Sequence, residues 1–256
     1  MEEPQRAPRN LQYDRVAVIV PAAGSGSRMG GAPKQFRTLG DAPVLVHTLR
    51  AFAQLDEIRT LIVAVLESDV GEVERLVAEY HLDANVVVGG ATRQDSVRES
   101  IKAVGGSAGI ILVHDAVRPF IRGGQIREVI AAIDEHGAAA MAVPVTDTLR
   151  RGSVGVFGES VDREGLFRML TPQGALTDLF LKAHEKAQAD GFVGTDEVEV
   201  LHRAGVEVHL VLGDERNIKL TRPSEWALAE TLWLDWLKEK ALRPEEKTEG
   251  CGRMPT

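Results

Sequence analysis

Cysteine is nearly absent from this chain of 256 residues, in which Cys251 is the only one. A single thiol excludes a disulfide framework and a cysteine-based metal site within one chain. This cysteine usage is typical of a reducing compartment, and we therefore expect a cytoplasmic protein.

Long apolar runs and net positive charge are also lacking. The longest apolar runs, such as Val16–Val20 and Leu61–Leu66, are far below the roughly 18 residues that a membrane span needs. Residues 1–14 contain charges and two prolines but no apolar core, so they predict a disordered leader rather than a secretory signal. Residues 241–256 are polar and predict a disordered tail. A formal net charge of -8 provides no basic stripe, and we expect neither a nucleic-acid nor a membrane partner.

Between these ends, residues 15–240 alternate short β-branched runs with amphipathic segments. This pattern predicts one α/β domain of Rossmann-like fold, with helices on both faces of a mostly parallel sheet. The predicted strands are Val16–Val20, Thr60–Leu66, Asn85–Val88, Gly109–Val113, Ala138–Val143 and Val206–Leu212. The predicted helices cover residues 43–54, 69–81, 93–104, 124–136, 175–189, 196–204 and 223–239.

The segment from about 145 to 170 breaks the alternation because it has no helical face. Turn signals at residues 151–153 and 158–160 separate runs rich in Thr, Arg and Val, which predicts a protruding β-hairpin arm. A hairpin of this length is marginal alone and must pack on something. A partner subunit and the arm's own domain are both candidates.

A glycine-rich loop follows the first predicted strand, with four glycines between positions 24 and 31. Glycines let backbone N–H groups approach anionic oxygens, so the loop predicts a phosphate cradle. Its spacing fits neither a Walker loop nor the dinucleotide fingerprint. Arg28 and Lys34 bracket the end of the loop, where they could converge on one triphosphate. The alternative interpretation is a solvated turn with incidental basic residues.

Two other strand ends add polar groups, and ligands of open α/β sheets bind at such ends. Asp115 and Arg118 follow the strand that ends at Val113, and Asp115 could hold Mg²⁺ or serve only as a turn or cap residue. After Val88 the chain contains Gly90 and Ser96, which could contact a base. Helix capping by Ser96 or its neighbours is the competing role.

These groups suit the attack of a phosphate monoester on a nucleoside triphosphate. The attacking group is already an anion, so the reaction requires positive charge and alignment rather than a general base or a protein nucleophile. Mg²⁺ and four side chains could supply that charge: Arg28, Lys34, Arg163 and Lys219. No Gly-x-Ser-x-Gly elbow and no zinc motif occurs in the sequence.

Seven short motifs occur in a fixed order along the chain. They are Pro21-Ala22-Ala23-Gly24-x-Gly26-x-Arg28-Met29, Pro33-Lys34-Gln35, His114-Asp115-Ala116-x-Arg118-Pro119, Val161-Asp162-Arg163, Thr171-Pro172-Gln173, Thr195-Asp196-Glu197 and Asn217-Ile218-Lys219. As an ordered set over residues 16–236, they closely resemble the 2-C-methyl-D-erythritol 4-phosphate cytidylyltransferases of the non-mevalonate isoprenoid pathway. The resemblance implies a nucleotidyltransferase fold and transfer of CMP from CTP to that polyol phosphate, with a divalent cation such as Mg²⁺.

The same resemblance implies a role for each matching residue. The nucleotide site would comprise Ala22, Ala23, Gly24, Gly26, Gly90, Ser96 and Ala116. The residues that stabilise the reacting α-phosphate would be Arg28, Lys34 and Lys219, and Asp115 would bind the metal. The polyol phosphate would contact Arg118, Thr148, Arg163, Thr171 and Thr195. The resemblance further implies a homodimer in which the arm carries Thr148 and Arg163 to the partner's site.

Two positions depart from the family pattern, and other functions remain open. Ala91 stands where some relatives have an aspartate, and the loop Gly30-Gly31-Ala32 is shorter than in some of them. A ribitol-phosphate cytidylyltransferase is the nearest alternative, although Asp162 and Arg163 favour methylerythritol phosphate. A non-catalytic nucleotide sensor and a nicotinamide oxidoreductase are further alternatives, and the cations and the glycine spacing count against them.

Overall fold

A seven-stranded sheet with almost wholly apolar inner strands forms the centre of the protein. The computed structural model describes residues 15–24, 33–104 and 108–242. Strand β1 (Val16–Pro21) lies inside the sheet with a strand on either side, and the side chains of Val16 to Val20 are completely buried. Helices cover both faces of the sheet, which explains why β1 has no polar side.

The other elements alternate along the chain much as the sequence predicts. The remaining strands are β2 (Thr38–Leu39), β3 (Ala42–Pro43), β4 (Ile58–Val65), β5 (Asn85–Val88), β6 (Ile110–Val113), β7 (Ala138–Pro144), β8 (Leu149–Ser153), β9 (Val156–Val161), β10 (Phe167–Leu176) and β11 (His209–Leu212). The α-helices are α1 (Val44–Ala53), α2 (Val70–Glu79), α3 (Arg93–Val104), α4 (Gly123–His136), α5 (Thr177–Ala189), α6 (Glu197–Arg203) and α7 (Pro223–Leu242).

The strand order across the sheet is β11-β7-β10-β6-β1-β4-β5. Strand β10 is antiparallel to both of its neighbours, β6 and β7, and the other four pairings are parallel. The prediction of an α/β fold with a mostly parallel sheet and helices on both faces is therefore confirmed. The carboxyl ends of β1, β4, β5 and β6 meet at one edge of the sheet, and this edge positions the candidate site.

The prediction was wrong about strand β10. The arm was predicted to end at about 170 and the next helix to begin at 175, whereas Phe167–Leu176 is a single strand and the helix begins at Thr177. A Thr-Pro-Gln-Gly run indicates a turn locally, but here tertiary packing decides. At Gly174 a Cβ atom would lie 2.1 Å from the carbonyl oxygen of Ile111, so only glycine permits this close strand pairing.

Other boundaries shift by smaller amounts. The last strand begins at His209 rather than Val206, and the short hairpin formed by β2 and β3 was not predicted. Helix α7 continues to Leu242, and the predicted leader and most of the predicted tail lie outside the described residues. Within the described ranges, every helix is too short or too polar to cross a membrane.

The predicted hairpin arm is confirmed as a separate two-stranded sheet of β8 and β9. Its side chains are largely exposed, including apolar ones: Val154 is 105% exposed and Phe157 is 84% exposed. The arm therefore does not bury these side chains against its own domain.

Candidate active site

The candidate site is a cavity of about 180 Å³ at the carboxyl edge of the sheet. Three segments that follow strands β1, β5 and β6 form its walls, together with a short turn at Lys34 and a residue just before α7, Lys219. Nine of the residues predicted from the sequence line it: Ala22, Ala23, Gly24, Lys34, Gly90, Ser96, Asp115, Ala116 and Lys219. Arg28 and Gly26, also predicted, lie outside the described residues.

Small residues shape one wall of the cavity. A Cβ atom at Gly90 would lie 2.3 Å from the Cβ of Asp95, and one at Gly89 would lie 2.8 Å from Ala23. The hydroxyl of Ser96 accepts a hydrogen bond from the backbone N–H of Gly90 at 3.1 Å and donates one to the carbonyl of Thr92 at 2.9 Å. Ser96 thus fixes the turn before α3, and this wall presents backbone atoms rather than long side chains.

A buried carboxylate, Asp115, lies among three cations. Its Oδ2 is 3.0 Å from Nε of Arg118 and 3.1 Å from Nζ of Lys219, and its Oδ1 is 3.6 Å from Nε of Arg93. Burial alone raises the pKa of Asp115, but Lys219, Arg93 and Arg118 outweigh that effect and hold the pKa well below its usual range. Asp115 is therefore ionised at neutral pH.

Buried hydrogen bonds beneath the cavity hold Asp115 in place. Nε2 of His114 donates to the carbonyl of Arg118 at 3.1 Å, so Nδ1 accepts from the hydroxyl of Thr171 at 3.0 Å. That hydroxyl in turn accepts the backbone N–H of Asp115 at 3.2 Å. The Arg118 guanidinium donates to the carbonyl of Asn217 at 2.7 Å. Arg118 and Thr171, predicted as substrate-binding residues, are buried and bond to Asp115, which lines the cavity, but they do not line it themselves.

Because His114 is completely buried, its pKa is lowered from 6.5 to about 4. The unfolded chain binds a proton on this ring below pH 6.5 while the folded chain does not, so the folded state loses stability as pH falls from 6.5 towards about 4.

We expect His114→Asn to show a smaller loss of melting temperature than the wild type between about pH 7 and about pH 5. His202→Gln, at an exposed histidine, should retain the full loss. An equal pH dependence in His114→Asn and the wild type would contradict this expectation.

Besides Arg118 and Thr171, three predicted residues do not line the cavity of this chain. Thr148 and Arg163 are exposed at the base of the arm, where the Arg163 guanidinium donates to the carbonyl of Thr146. Thr195 is exposed before α6, and its backbone N–H donates to Glu199 at 2.6 Å. The single chain therefore brings Lys34, Lys219 and Asp115 together with the described residues of the predicted nucleotide site, but it does not add the arm residues.

Arg93 and Gln35 also line the cavity, although the sequence motifs predict no role for their long polar side chains. Arg93 is the first residue of α3, and its Nη1 donates to Glu197 at 2.7 Å. Gln35 is buried, and its amide donates to the carbonyl of Ala22 at 3.1 Å. Arg93 lies three residues after Gly90, and this position close to the glycine turn is a signal that could have revealed it.

Asp115 suits a magnesium site in which the protein provides few of the ligands. Mg²⁺ is commonly held by one or two carboxylates together with substrate phosphates and water. Asp115 is ionised and lines the cavity, and among the described residues its Oδ1 has the longer contact with Arg93, at 3.6 Å. No cluster of three His, Cys, Asp or Glu side chains suited to a metal occurs in the described ranges, so a metal held wholly by those residues is not indicated.

The described residues that line the cavity supply cations, one carboxylate and no histidine or cysteine. Positive charge at the carboxyl edge of a mostly parallel sheet, without a nucleophile beside a base, is the arrangement expected of a nucleotidyltransferase. The enzyme class follows from the fold and the site together.

Comparison with known proteins identifies the family. The sequence model of IspD, described as 2-C-methyl-D-erythritol 4-phosphate cytidylyltransferase, matches residues 16–234. The protein of that name from Salinibacter ruber is 45% identical, with 86% of this chain and 94% of the relative covered. The one from Bacillus cereus is 40% identical, with 84% and 96% covered. The crystal structure of the Thermus thermophilus protein of that name is 34% identical, with a TM-score of 0.72 and 85% and 98% covered.

The chain therefore belongs to the 2-C-methyl-D-erythritol 4-phosphate cytidylyltransferase family. It is a cytidylyltransferase, and the reaction of its family is CTP-dependent transfer of a cytidylyl group in the non-mevalonate pathway of isoprenoid biosynthesis.

Proposed function

We propose that the described cavity is where this chain transfers CMP from CTP to 2-C-methyl-D-erythritol 4-phosphate and releases pyrophosphate. The observation that carries the proposal is the shared cavity of Lys34, Arg93 and Lys219 around the ionised Asp115. Cations gathered in an otherwise acidic protein provide a local site for two anionic substrates.

The reaction needs charge and alignment more than proton transfer. An oxygen of the polyol phosphate attacks the α-phosphorus of CTP, and the bond from that phosphorus to the bridging oxygen of the β-phosphate breaks. Pyrophosphate carries away the electron pair of the broken bond, and the product contains a new phosphate–phosphate linkage. Because both reactants are anions, the cations lower the barrier by offsetting their repulsion and by aligning them.

The nucleotide is proposed to lie against the small-residue wall. Ala22, Ala23, Gly24, Gly26, Gly90, Ser96 and Ala116 are the proposed contacts. The fixed turn at Gly90 and the small size of the described residues among these contacts support base recognition by backbone groups. Backbone groups held in fixed positions favour the base whose hydrogen-bond donors and acceptors match them. A base that does not match would leave polar groups of the wall without hydrogen bonds.

The catalytic cations are proposed to be Arg28, Lys34, Lys219 and the partner's copy of the arm residue Arg163. Asp115 is proposed to hold Mg²⁺, which when bound would offset charge on the triphosphate. Lys219 already lies 3.1 Å from Asp115, which supports a common location for the lysine, the carboxylate and the phosphates.

The polyol phosphate is proposed to contact Arg118, Thr148, Arg163, Thr171 and Thr195, two of them from the arm of a partner subunit. A homodimer of this kind would cover the arm's exposed apolar side chains, such as Val156 and Phe157. A cytoplasmic location is proposed with it, because the substrates are soluble phosphates and the single cysteine suits a reducing compartment.

Pyrophosphate release tests the proposed function. We expect release to require methylerythritol phosphate and Mg²⁺, and to be at least about tenfold faster with CTP than with ATP, GTP or UTP. Ribitol 5-phosphate is the matched control acceptor and should support little release. Faster release with ribitol 5-phosphate would favour the alternative acceptor, and CTP binding without release would favour a nucleotide sensor.

A further inference from the structure

Arg93 is a third described cation of the cavity, beside Lys34 and Lys219. It begins α3, a helix of 12 residues, and its side chain is 26% exposed. Its guanidinium therefore lies at the boundary between the protein interior and the cavity, next to a helix N-terminus that adds positive potential.

Two carboxylates fix one edge of this guanidinium. Nη1 donates to Oε1 of Glu197 at 2.7 Å, and Nε is 3.6 Å from Oδ1 of Asp115. A guanidinium has five N–H donors, and Nη2 of Arg93 forms no hydrogen bond within the described residues. The contacts hold the planar group in one orientation while leaving donors for another anion.

Glu197 is itself held by neighbours on other elements. It is 1% exposed, its Oε2 accepts from Nε2 of His184 at 2.8 Å, and its backbone N–H donates to Oε1 of Gln173 at 2.9 Å. Burial raises the pKa of Glu197, but His184 and Arg93 outweigh it and lower the pKa, so the carboxylate is charged. A charged group buried this completely is a rigid support for Arg93.

We propose that Arg93 is a further phosphate-binding residue of the reaction and that Glu197, backed by His184, is its positioning residue. The proposal rests on the proposed function, because the phosphate belongs to CTP or to methylerythritol phosphate. Arg93 lies between the proposed nucleotide wall and Glu197, and Glu197 follows the proposed polyol contact Thr195 by two residues.

Burial of the ion pair supports a role beyond stability. A buried pair often contributes no more stability than well-packed apolar side chains of similar volume, because two charges must leave water. What the pair does provide is a fixed guanidinium at the cavity wall. A fixed fork loses less conformational freedom when it binds a phosphate than a mobile side chain does.

The direct test is the double variant Arg93→Gln/Glu197→Gln, which removes both charges and leaves no buried carboxylate unpaired. We expect the Kd for CTP or the KM for methylerythritol phosphate to rise about 10- to 100-fold, while inhibition by cytidine, which has no phosphate, is unchanged. The substrate whose constant rises identifies the phosphate that Arg93 binds. A rise of less than about twofold in both constants would overturn the proposal.

The wild type measured alongside separates the two claims. If the wild type releases no pyrophosphate from CTP and methylerythritol phosphate, the proposed function fails. If it does release pyrophosphate and the double variant has the same constants, only the role of Arg93 fails.

Glu197→Gln distinguishes two possible effects of Glu197 on Arg93: holding its guanidinium in place, or only offsetting its charge. The two effects predict opposite changes in phosphate binding. Removing an anion behind Arg93 strengthens phosphate binding by Coulomb attraction alone, whereas losing the anchor weakens it. We expect the constant identified above to rise about fivefold in Glu197→Gln. A fall in that constant would overturn the positioning role.

His184 provides a milder version of the same test. His184→Gln retains an N–H donor towards Glu197 and should keep that constant near the wild-type value, whereas His184→Leu removes the donor and should raise it. Melting temperatures report folding of all variants. Equal constants in His184→Leu and the wild type would overturn the part assigned to His184.

Discussion

Replacing Lys219 by methionine is expected to lower kcat by about 100- to 1000-fold while changing the KM for CTP by less than about tenfold. Methionine retains an apolar stem but removes the ammonium that lies 3.1 Å from Asp115. The ammonium matters most when charge builds up around the α-phosphorus, and CTP in its ground state still contacts the small-residue wall. Steady-state kinetics with both substrates varied give the two constants.

Lys102→Met is the matched control, since Lys102 is exposed on α3 and pairs only with Glu99 among the described residues. It should leave both constants unchanged. If Lys219→Met instead raised KM by the same factor as it lowered kcat/KM, Lys219 would bind the ground state and transition state equally, contrary to its proposed role.

Arg163→Ala is expected to abolish most activity and to be rescued by a second inactive variant. If the arm crosses between subunits, a heterodimer with Lys219→Met contains one site with both residues intact. Random mixing makes about half of the dimers heterodimers with one of two sites active, so activity should return to about a quarter of the wild-type value. Activity is measured after the two variants have been mixed and allowed to exchange subunits.

Co-purification through two different affinity tags confirms that heterodimers have formed. The matched control pairs Arg163→Ala with Thr148→Ala, because both substitutions lie on the same arm and a heterodimer should gain no intact site. No recovery in a verified Arg163→Ala and Lys219→Met heterodimer would contradict the exchange and would favour an arm that serves its own chain.

Most of the sheet could be predicted from the sequence because its parallel strands are buried on both faces. The runs in β1, β4, β6 and β7 are almost entirely apolar, and such runs separated by amphipathic helices have few other interpretations. Strand β10 was missed because its three exposed first residues and its Thr-Pro-Gln-Gly run have no strand pattern. Its place is set by pairing with β6 and β7, which local sequence does not reveal.

The candidate site divides in the same way. Glycines and charged residues directly after strands, such as Gly90 and Asp115, could be predicted because parallel strands end at one edge. The buried contacts that hold these site residues in place could not be predicted, because they join segments that are distant in the sequence. Arg93 meets Glu197 across 104 positions, and Thr171 meets His114 across 57.

The central claim is that this chain supplies charge and alignment for a direct transfer and no covalent nucleophile. The stereochemical course at the α-phosphorus tests it most directly, using CTP with a chiral α-phosphorothioate and methylerythritol phosphate. One direct displacement inverts the configuration at phosphorus, and inversion is the result that the account predicts. Retention would require two displacements through a cytidylyl-enzyme intermediate and would contradict the account.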